Sequence, residues 1–274
     1  MKIVIKIGGS LFYKDLSNLY KDVAGLIEGS NEVVIVHGGG PQINQVLSDM
    51  GKEPNYIISA SGMKSRHTDE TTRDAAIMAL GGLVNKKMVA SLSKHGVNAF
   101  GISGVDGKIL LAKRKEKLIS IDPETNKRRV IRNEYSGKII PDKVNGNLIN
   151  ELLKMGMTPV IGALAVDDNN EILNTDGDRA ASSVCKAIGG DLLISVTDVP
   201  GVMKDMKTKE IIPKISGSSL DDIIKDVEGG MKKKIFAVKE ALSLGISKVI
   251  ITSGLVEGGL TSAIEGKIGT QIIP

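Results

Sequence analysis

Short runs rich in β-branched residues, each ending in glycine or a polar turn, recur along the chain and constrain its fold more than any other feature. The runs are KIVIKIGGS, EVVIVHGGGP, NAFGISGVDG, MTPVIGALAV, DLLISVTDVPG and KVIITSG. They alternate with amphipathic segments, which is typical of a parallel sheet covered by helices on both faces. The sequence therefore predicts an α/β fold, a three-layer sandwich with a mainly parallel central sheet and two lobes.

The amphipathic segments predict helices over 16–29, 41–50, 69–95, 145–156, 178–189, 219–227 and 231–244. The helix over 69–95 is unusually long and carries Gly81 and Gly82 near its middle. Glycine inside a helix costs about 1 kcal/mol relative to alanine. We therefore expect close packing at these glycines, against a second subunit.

Composition excludes several classes of protein. The net charge of +4 and the presence of only three Phe and no Trp argue against a nucleic-acid partner. The single cysteine allows no internal disulfide, and Cys185 lies in an alanine-rich helical run, which predicts a buried residue. We see no signal peptide and no apolar stretch near the ~18 to 20 residues of a membrane span, which predicts a cytoplasmic protein without membrane contact.

The positive charge is concentrated in segment 113–138. This segment holds nine Lys or Arg against four acids, a local charge of +5, so the rest of the chain sums to −1. It interrupts the strand–helix alternation with two polar strands around the sequence DPETNK. We predict a projecting basic hairpin over 108–138.

Two glycine clusters follow predicted strands. Lys6 precedes Gly8 and Gly9 in KIGGS, and VHGGGP carries Gly38, Gly39 and Gly40. Glycine lets backbone N–H groups approach anionic oxygens, and a following helix adds its positive end. Neither cluster is a Walker loop, and each alone could be a turn without ligand, but together they predict two walls of one anion site.

Further charged residues follow in the second half of the chain. In ILNTDGDRAA, Asp176 could be a helix N-cap, whereas Asp178 could orient two lysines that otherwise repel each other. In GGMKKK, Lys234 would lie one turn into a helix, although such lysine runs usually form a solvated face. If Lys234 and Lys6 face one slot, they could neutralise a phosphoryl group during transfer to a carboxylate, which needs no catalytic base.

The motifs KIGGS, VHGGGP, SRHTD, ILNTDGDRAA, VTDVPGV and GGMKKK, in this order, resemble the amino acid kinase family, most closely its acetylglutamate kinase branch. The resemblance covers essentially the whole chain. It implies an N-terminal lobe, 1–174, for the amino-acid substrate and dimerisation, and a C-terminal lobe, 175–274, for ATP, which carries Mg²⁺.

The resemblance also implies roles for individual residues. The expected catalytic residues are Lys6, Lys234 and Asp178. The expected substrate-binding residues are Gly9, Gly39, Gly40, Arg66 and Asn174. The expected nucleotide-binding residues are Gly8, Asp198, Gly201 and Met231.

The stretch SGMKSRHTD departs from the acetylglutamate kinase pattern, and together with the basic hairpin it resembles kinases that act on aminoadipate or glutamate attached to a small acidic carrier protein, LysW. A basic patch would steer and orient such a carrier. The expected patch consists of Lys113, Arg114, Lys115, Lys117, Lys127, Arg128, Arg129 and Arg132. We also expect a homodimer.

Two alternatives remain open at this point. The chain could be an N-acetylglutamate kinase of arginine biosynthesis, in which case the hairpin has no carrier to bind. It could also be a nucleotide-binding regulatory module without catalysis, although the presence of both lysines and Asp178 argues against this. Glutamate and aminoadipate differ by one methylene, worth only ~1 to 3 kcal/mol in a pocket, so the sequence leaves the acceptor open as well.

Overall fold

The computed structural model describes residues 1–58, 64–121, 128–205, 210–227 and 229–274. The helices of this part are α1 (Ser17–Glu28), α2 (Gly40–Asp49), α3 (Glu70–Ala76), α4 (Asn85–Lys94), α5 (Gly146–Lys154), α6 (Gly177–Ile188), α7 (Leu220–Asp226), α8 (Gly229–Ser243) and α9 (Gly259–Ile264). A π-helical segment, Ile77–Val84, joins α3 to α4. Short 3₁₀ turns cover Gly9–Tyr13, Asp106–Lys108, Pro141–Lys143 and Gly217–Ser219.

The strands are β1 (Lys2–Ile7), β2 (Glu32–His37), β3 (Tyr56–Ile58), β4 (Lys64–Arg66), β5 (Ala99–Ser103), β6 (Ala112–Arg114), β7 (Leu118–Ile121), β8 (Arg128–Ile131), β9 (Gly137–Ile139), β10 (Thr158–Gly162), β11 (Leu164–Val166), β12 (Ile172–Asn174), β13 (Leu192–Thr197), β14 (Met203–Asp205), β15 (Glu210–Ile211), β16 (Lys214–Ser216), β17 (Val249–Ser253) and β18 (Thr270–Ile273).

The central sheet has eight strands in the order β16-β18-β17-β13-β1-β2-β10-β5. Its pairs are parallel except β17 with β18. Ile7 at the end of β1 is level with His37 of β2 and Val196 of β13. The loops after these three strands therefore meet at one edge of the sheet, where open α/β sheets bind ligands. The predicted α/β fold is confirmed.

Side-chain alternation along β1 sorts the core into two layers. Ile3, Ile5 and Ile7 pack with α1, α4 and α9, whereas Val4 packs on the opposite face with α5, α6 and α8. Because side chains of a strand alternate between faces, Lys6 points to the same side as Val4. The sheet thus directs Lys6 at α6 and α8.

The sheet is continuous across the expected lobe boundary. Residue 175 falls between β12 and α6, but β1 and β13, which come from different halves of the chain, are hydrogen-bonded neighbours. Any ligand at the carboxyl edge of these two strands therefore contacts both halves of the chain.

The predicted long helix is present over Glu70–Lys94, with Gly81 and Gly82 inside its π-helical segment. A Cβ at Gly81 would make only ordinary contact with Leu164, and one at Gly82 would meet nothing within 4 Å. Close packing within this chain therefore does not explain why positions 81 and 82 are glycine. By length and composition this helix could cross a membrane, contrary to the expectation from sequence, but its apolar residues Leu80, Val84 and Met88 are buried in the core.

The hairpin is formed by two antiparallel ladders, β6 with β9 and β7 with β8. Its predicted turn, DPETNK at 122–127, lies outside the described residues. Cys185 is buried on α6, and burial raises the pKa of its thiol to about 12, as expected for an unreactive core residue.

Candidate active site

Lys6, Asp178 and Lys234 converge at the carboxyl edge of the sheet. Lys6 Nζ lies 2.8 Å from Asp178 Oδ1, and Lys234 Nζ lies 4.0 Å from the same oxygen. Lys6 comes from β1, Asp178 from the first turn of α6, and Lys234 from the second turn of α8. The structure therefore brings together the three residues that the sequence singled out as a group.

The electrostatics of this cluster are dominated by burial and mutual contact. Burial disfavours the charged form of Lys6, but contact with Asp178 outweighs burial and raises the pKa of Lys6. Burial likewise opposes ionisation of Asp178, yet the two lysines together lower its pKa. Burial and the charge of Lys6 lower the pKa of Lys234 to about 8. One carboxylate thus holds two ammonium groups close together. Of the two, Lys234 loses its proton at the lower pH.

Two residues support Asp178 in its position. Asp176 is the N-cap of α6, and its Oδ1 accepts hydrogen bonds from the N–H groups of Asp178 and Arg179, each at 3.0 Å. Ser195, which is level with Lys6 on the neighbouring β13, donates to Asp178 Oδ1 at 3.4 Å. The N-cap interpretation of Asp176 is therefore right, and Ser195 is a contact that the sequence did not reveal.

A side-chain pair also joins the two helices that carry Asp178 and Lys234. Arg179 Nε donates to Glu240 Oε2 at 2.6 Å, and its second nitrogen donates to Oε1 at 2.7 Å. This bidentate pair links the first turn of α6 to the middle of α8.

The two glycine turns are in contact. A Cβ on Gly9 would lie 2.9 Å from Gly39 Cα and 3.0 Å from Gly40 N, closer than side-chain carbons approach backbone. A Cβ on Gly177 would lie 3.4 Å from Gly38 N and 3.6 Å from Lys6 Cε. Both turns lead directly into helical segments, whose first N–H groups have no acceptor within the helix. The two turns therefore form adjacent walls beside Lys6.

A buried histidine and asparagine hold the second glycine turn, and the sequence analysis missed them. His37 is fully buried, with Nδ1 3.0 Å from Gly38 O and Nε2 3.1 Å from Asn85 Nδ2. Burial lowers the pKa of His37 to about 4, so it is a neutral ring that donates from Nδ1 and accepts at Nε2. An asparagine directly after the apolar run IMALGGLV of the long helix was the available signal.

Arg66 and Asn174 line one cavity of about 390 Å³ that extends to α8 and to the base of the hairpin. Arg66 donates to Gly40 O at 2.9 Å and also to Asn44 Oδ1, and its guanidinium lies 5.3 Å from the ring of Tyr56. These contacts hold Arg66 against the second glycine turn. Lys115, Arg179 and Lys233 line the same cavity.

The residues expected to bind nucleotide are more dispersed. Gly8 follows β1, and its N–H donates to Val196 O at 3.2 Å. Asp198 directly follows β13 and accepts a 3.1 Å hydrogen bond from Thr197 Oγ1. A Cβ on Gly201 would lie 2.8 Å from Thr270 Oγ1, so packing alone requires glycine there. Met231, in the first turn of α8, packs against the core.

The residues of the expected basic patch are not uniformly exposed. Lys113, Lys117, Arg128, Arg129 and Arg132 are exposed. Arg114 is instead anchored, because its guanidinium lies 4.0 Å from the ring of Tyr135 and its Nε donates to Glu134 O at 2.7 Å. Lys115 lines the cavity described above rather than the outer surface. Lys127 lies outside the described residues.

The Amino acid kinase family profile matches residues 1–253. A protein of Nitrosopumilus maritimus is 40% identical over 262 residues, 96% of each chain. A protein of Saccharolobus islandicus named LysW-aminoadipate/LysW-glutamate kinase is 35% identical over 272 residues, 99% of each chain.

Solved structures of low sequence identity share the fold. The N-acetylglutamate synthase of Neisseria gonorrhoeae aligns with a TM-score of 0.79 at 21% identity, over 100% of this chain and 59% of the synthase. Carbamate kinase from Giardia lamblia bound to AMP-PNP aligns with a TM-score of 0.66 at 17% identity, over 99% of this chain and 98% of the other. At these identities the likeness is one of fold.

Proposed function

Because this chain belongs to the amino acid kinase family, we propose that it phosphorylates the side-chain carboxylate of 2-aminoadipate or glutamate attached through its amino group to a small acidic carrier protein of the LysW type. The enzyme is an ATP-dependent phosphotransferase with a carboxyl group as acceptor, and it acts in lysine or arginine biosynthesis. The observation that carries the reaction type is the convergence of Lys6 and Lys234 on Asp178 beside two touching glycine turns.

In the proposed reaction, one carboxylate oxygen of the acceptor attacks the γ-phosphorus of ATP. The bond from that phosphorus to the β–γ bridging oxygen breaks, and ADP and an acyl phosphate form. No proton is removed, because the carboxylate is already ionised at neutral pH. The two lysines neutralise the transferring phosphoryl group, and Asp178 keeps them in place between turnovers.

The substrate site is proposed at the glycine turns and in the cavity lined by Arg66 and Asn174. Gly9, Gly39 and Gly40 would present backbone N–H groups to the reacting groups. Arg66 would face a carboxylate of the acceptor, for which a planar guanidinium is well suited.

The nucleotide is proposed to bind to the C-terminal half, 175–274, near Asp198, Gly201 and Met231, with Gly8 next to its phosphates. Among the described residues, no group of three or more His, Cys, Asp or Glu side chains could hold a metal ion. Oxygen ligands suit Mg²⁺, which usually keeps several waters and binds substrate phosphates. We propose magnesium as part of the MgATP substrate, carried by the nucleotide.

The carrier is proposed to dock on the exposed basic residues of the hairpin. Arg128 and Arg129 are exposed on β8, and Lys113 and Lys117 are exposed on the approach to β7. An acidic carrier would be attracted and oriented by this patch. The hairpin base borders the cavity that holds Arg66, which would let a tethered substrate enter from the docked carrier.

A homodimer through the long helix is proposed as the assembly, in the cytoplasm. The exposed apolar residues Met78 and Leu83 lie in its π-helical segment, at 52% and 42% exposure. Open space at Gly82 would let a second copy approach closely. The N-terminal half, 1–174, would thus provide both the acceptor site and the dimer contact.

Turnover on two acceptors tests the proposed function. We expect ATP consumption with the carrier protein bearing 2-aminoadipate or glutamate to exceed that with free N-acetylglutamate by at least about 100-fold in kcat/KM. The reason is that only the carrier contacts the basic hairpin. Measuring ADP release with each acceptor checks this expectation, and strong activity on free N-acetylglutamate alone would contradict it.

Charge reversal on the hairpin provides the control for this comparison. The double variant Arg128→Glu, Arg129→Glu should raise KM for the carrier-bound acceptor about tenfold and leave KM for ATP unchanged. These side chains are exposed and remote from the core, so folding should be unaffected. An unchanged KM for the carrier-bound acceptor would show that Arg128 and Arg129 do not contribute to carrier docking.

The pH dependence of the reaction should report Lys234. Its pKa of about 8 means that the free enzyme carries this charge fully near pH 6 and loses it as pH rises through 8. We expect kcat/KM to fall about tenfold per pH unit above 8, and the fall in kcat to occur at higher pH because bound phosphates favour the ammonium. In Lys234→Arg the fall of kcat/KM above pH 8 should disappear, since a guanidinium stays protonated there. A wild-type kcat/KM that is flat to pH 9.5 would contradict this assignment.

A further inference from the structure

Lys115 lies apart from the exposed residues of the basic patch. It follows β6, where its N–H donates to Ser136 O at 3.0 Å and continues the pairing with β9. Lys113 of β6 is exposed, whereas Lys115 is half-buried and lines the cavity of about 390 Å³ together with Arg66 and Asn174. The Lys115 side chain therefore belongs to the proposed substrate site.

The two guanidinium groups of this cavity already have protein partners. Arg66 donates to Gly40 O and Asn44 Oδ1, and Arg179 donates both hydrogen bonds of a bidentate pair to Glu240. Within the part of the chain that the structure describes, the ammonium of Lys115 makes no hydrogen bond or ion pair. Its three donors are therefore available to a ligand.

The nearby carboxylates do not compensate for this lack of a partner. Glu134 is fully buried and accepts from the N–H groups of Thr68 and Ser136, at 3.3 and 3.1 Å. Asp176 is occupied as the N-cap of α6. Burial is the main cause that lowers the pKa of Lys115. The charges of Glu134 and Asp176 raise this pKa and the charge of Arg179 lowers it, and the net shift is downward. A partly buried cation without a partner destabilises the unliganded protein, because the cation has lost part of its hydration. An anionic ligand that pairs with the cation would offset this cost.

We propose that Lys115 binds a non-reacting carboxylate of the acceptor substrate, and this inference rests on the proposed function. The reacting carboxylate belongs at Lys6 and Lys234, so the ligand of Lys115 is a second one. It is either the α-carboxylate of the amino acid or a carboxylate of the carrier next to the linkage. Lys115 is thus a specificity-determining residue of the cavity, distinct from the docking residues on the outer face of the hairpin.

The test is Lys115→Met, which keeps the aliphatic stem and removes the charge. We expect KM for the acceptor to rise by about 10- to 100-fold, as for a lost charge-assisted hydrogen bond, with kcat within about threefold and KM for ATP unchanged. Lys115→Arg should recover most of the affinity. The matched control is Lys138→Met on β9, an exposed lysine outside the cavity, for which KM should change less than twofold.

Two acceptors distinguish the sources of the carboxylate. If KM for the carrier-bound acceptor and the inhibition constant of free N-acetyl-2-aminoadipate both rise in Lys115→Met, the ligand is the α-carboxylate. If only the carrier-bound acceptor is affected, the ligand belongs to the carrier. If neither changes, the inference is wrong, even where wild-type turnover supports the proposed function. Absence of wild-type turnover on the carrier-bound acceptor would instead refute the proposed function itself.

A thermal unfolding measurement separates ligand binding from a structural role. Because Lys115 is half-buried without a partner, Lys115→Met should unfold at the same temperature as the wild type or above it. A lower unfolding temperature together with equal losses in kcat and kcat/KM would indicate a structural role and would overturn the proposal.

Discussion

Replacing Lys6 by methionine should lower kcat by at least about 100-fold while the dissociation constant for ATP changes little. In the proposed mechanism Lys6 is one of two cations at the transferring phosphoryl group, and removing one such donor from a preorganised site costs ~10²–10³ in rate. The low exposure of Lys6, 6%, means that solvent cannot replace its charge. Single-turnover measurement of acyl phosphate formation would isolate the chemical step from nucleotide binding.

The matched control is Lys21→Met. Lys21 forms an ion pair with Glu257 at 2.6 Å, but both side chains are about two-thirds exposed, at 65% and 64%. Such pairs contribute little to stability, and α1 lies on the other face of the sheet, so kcat should stay within about twofold. Retention of phosphoryl transfer in Lys6→Met would exclude Lys6 from the reaction. A loss of folding, visible by circular dichroism, would call for Lys6→Arg, which should keep the fold and still lose at least about tenfold in kcat.

Replacing Gly9 by alanine should lower kcat by about 10- to 100-fold in a protein that still folds. The added methyl group would meet the backbone of Gly39 and Gly40 at 2.9 and 3.0 Å, so the two glycine turns must separate by several tenths of an ångström. A displacement of about 1 Å at reacting groups can cost 10²-fold in rate. Steady-state kinetics with both substrates, together with a thermal unfolding curve, would measure the two effects.

Gly25→Ala is the control for this substitution. Gly25 lies inside α1, and a Cβ there would meet nothing within 4 Å. Alanine should therefore stabilise the helix by about 0.5 to 1 kcal/mol and leave kcat unchanged. Equal kinetics for Gly9→Ala and the wild type would show that contact between the two glycine turns is not needed for catalysis.

The sequence predicted the fold and the proximity of Lys6, Asp178 and Lys234 because both depend on strong local patterns. Helices α1, α2, α5 and α6 begin and end within two residues of the predicted bounds, since their apolar periodicity and end signals agree. Lys6, Asp178 and Lys234 follow from strand-end and helix-start positions, which a parallel sheet places at one edge. The short helix α9 was missed because six residues give too little periodicity to recognise.

The remaining features depend on tertiary contacts that have no local signal. Lys115 is one of several lysines in a basic segment, and its inward direction follows from the pairing of β6 with β9. Arg114 appeared equally exposed, but stacking on Tyr135 requires the fold. His37 is next to a glycine cluster, yet its role as a buried neutral support depends on Asn85, 48 residues away. These residues could be recognised only after the sheet had placed them.

The bidentate pair between Arg179 and Glu240 limits how the enzyme can open and close. Arg179 follows Asp178 on α6, and Glu240 lies six residues beyond Lys234 on α8. Sliding α8 along α6 would break both hydrogen bonds and carry Lys234 away from Asp178. We therefore expect the two helices to move as one unit, and entry of nucleotide or release of ADP to involve the loops that border them rather than a shear between α6 and α8.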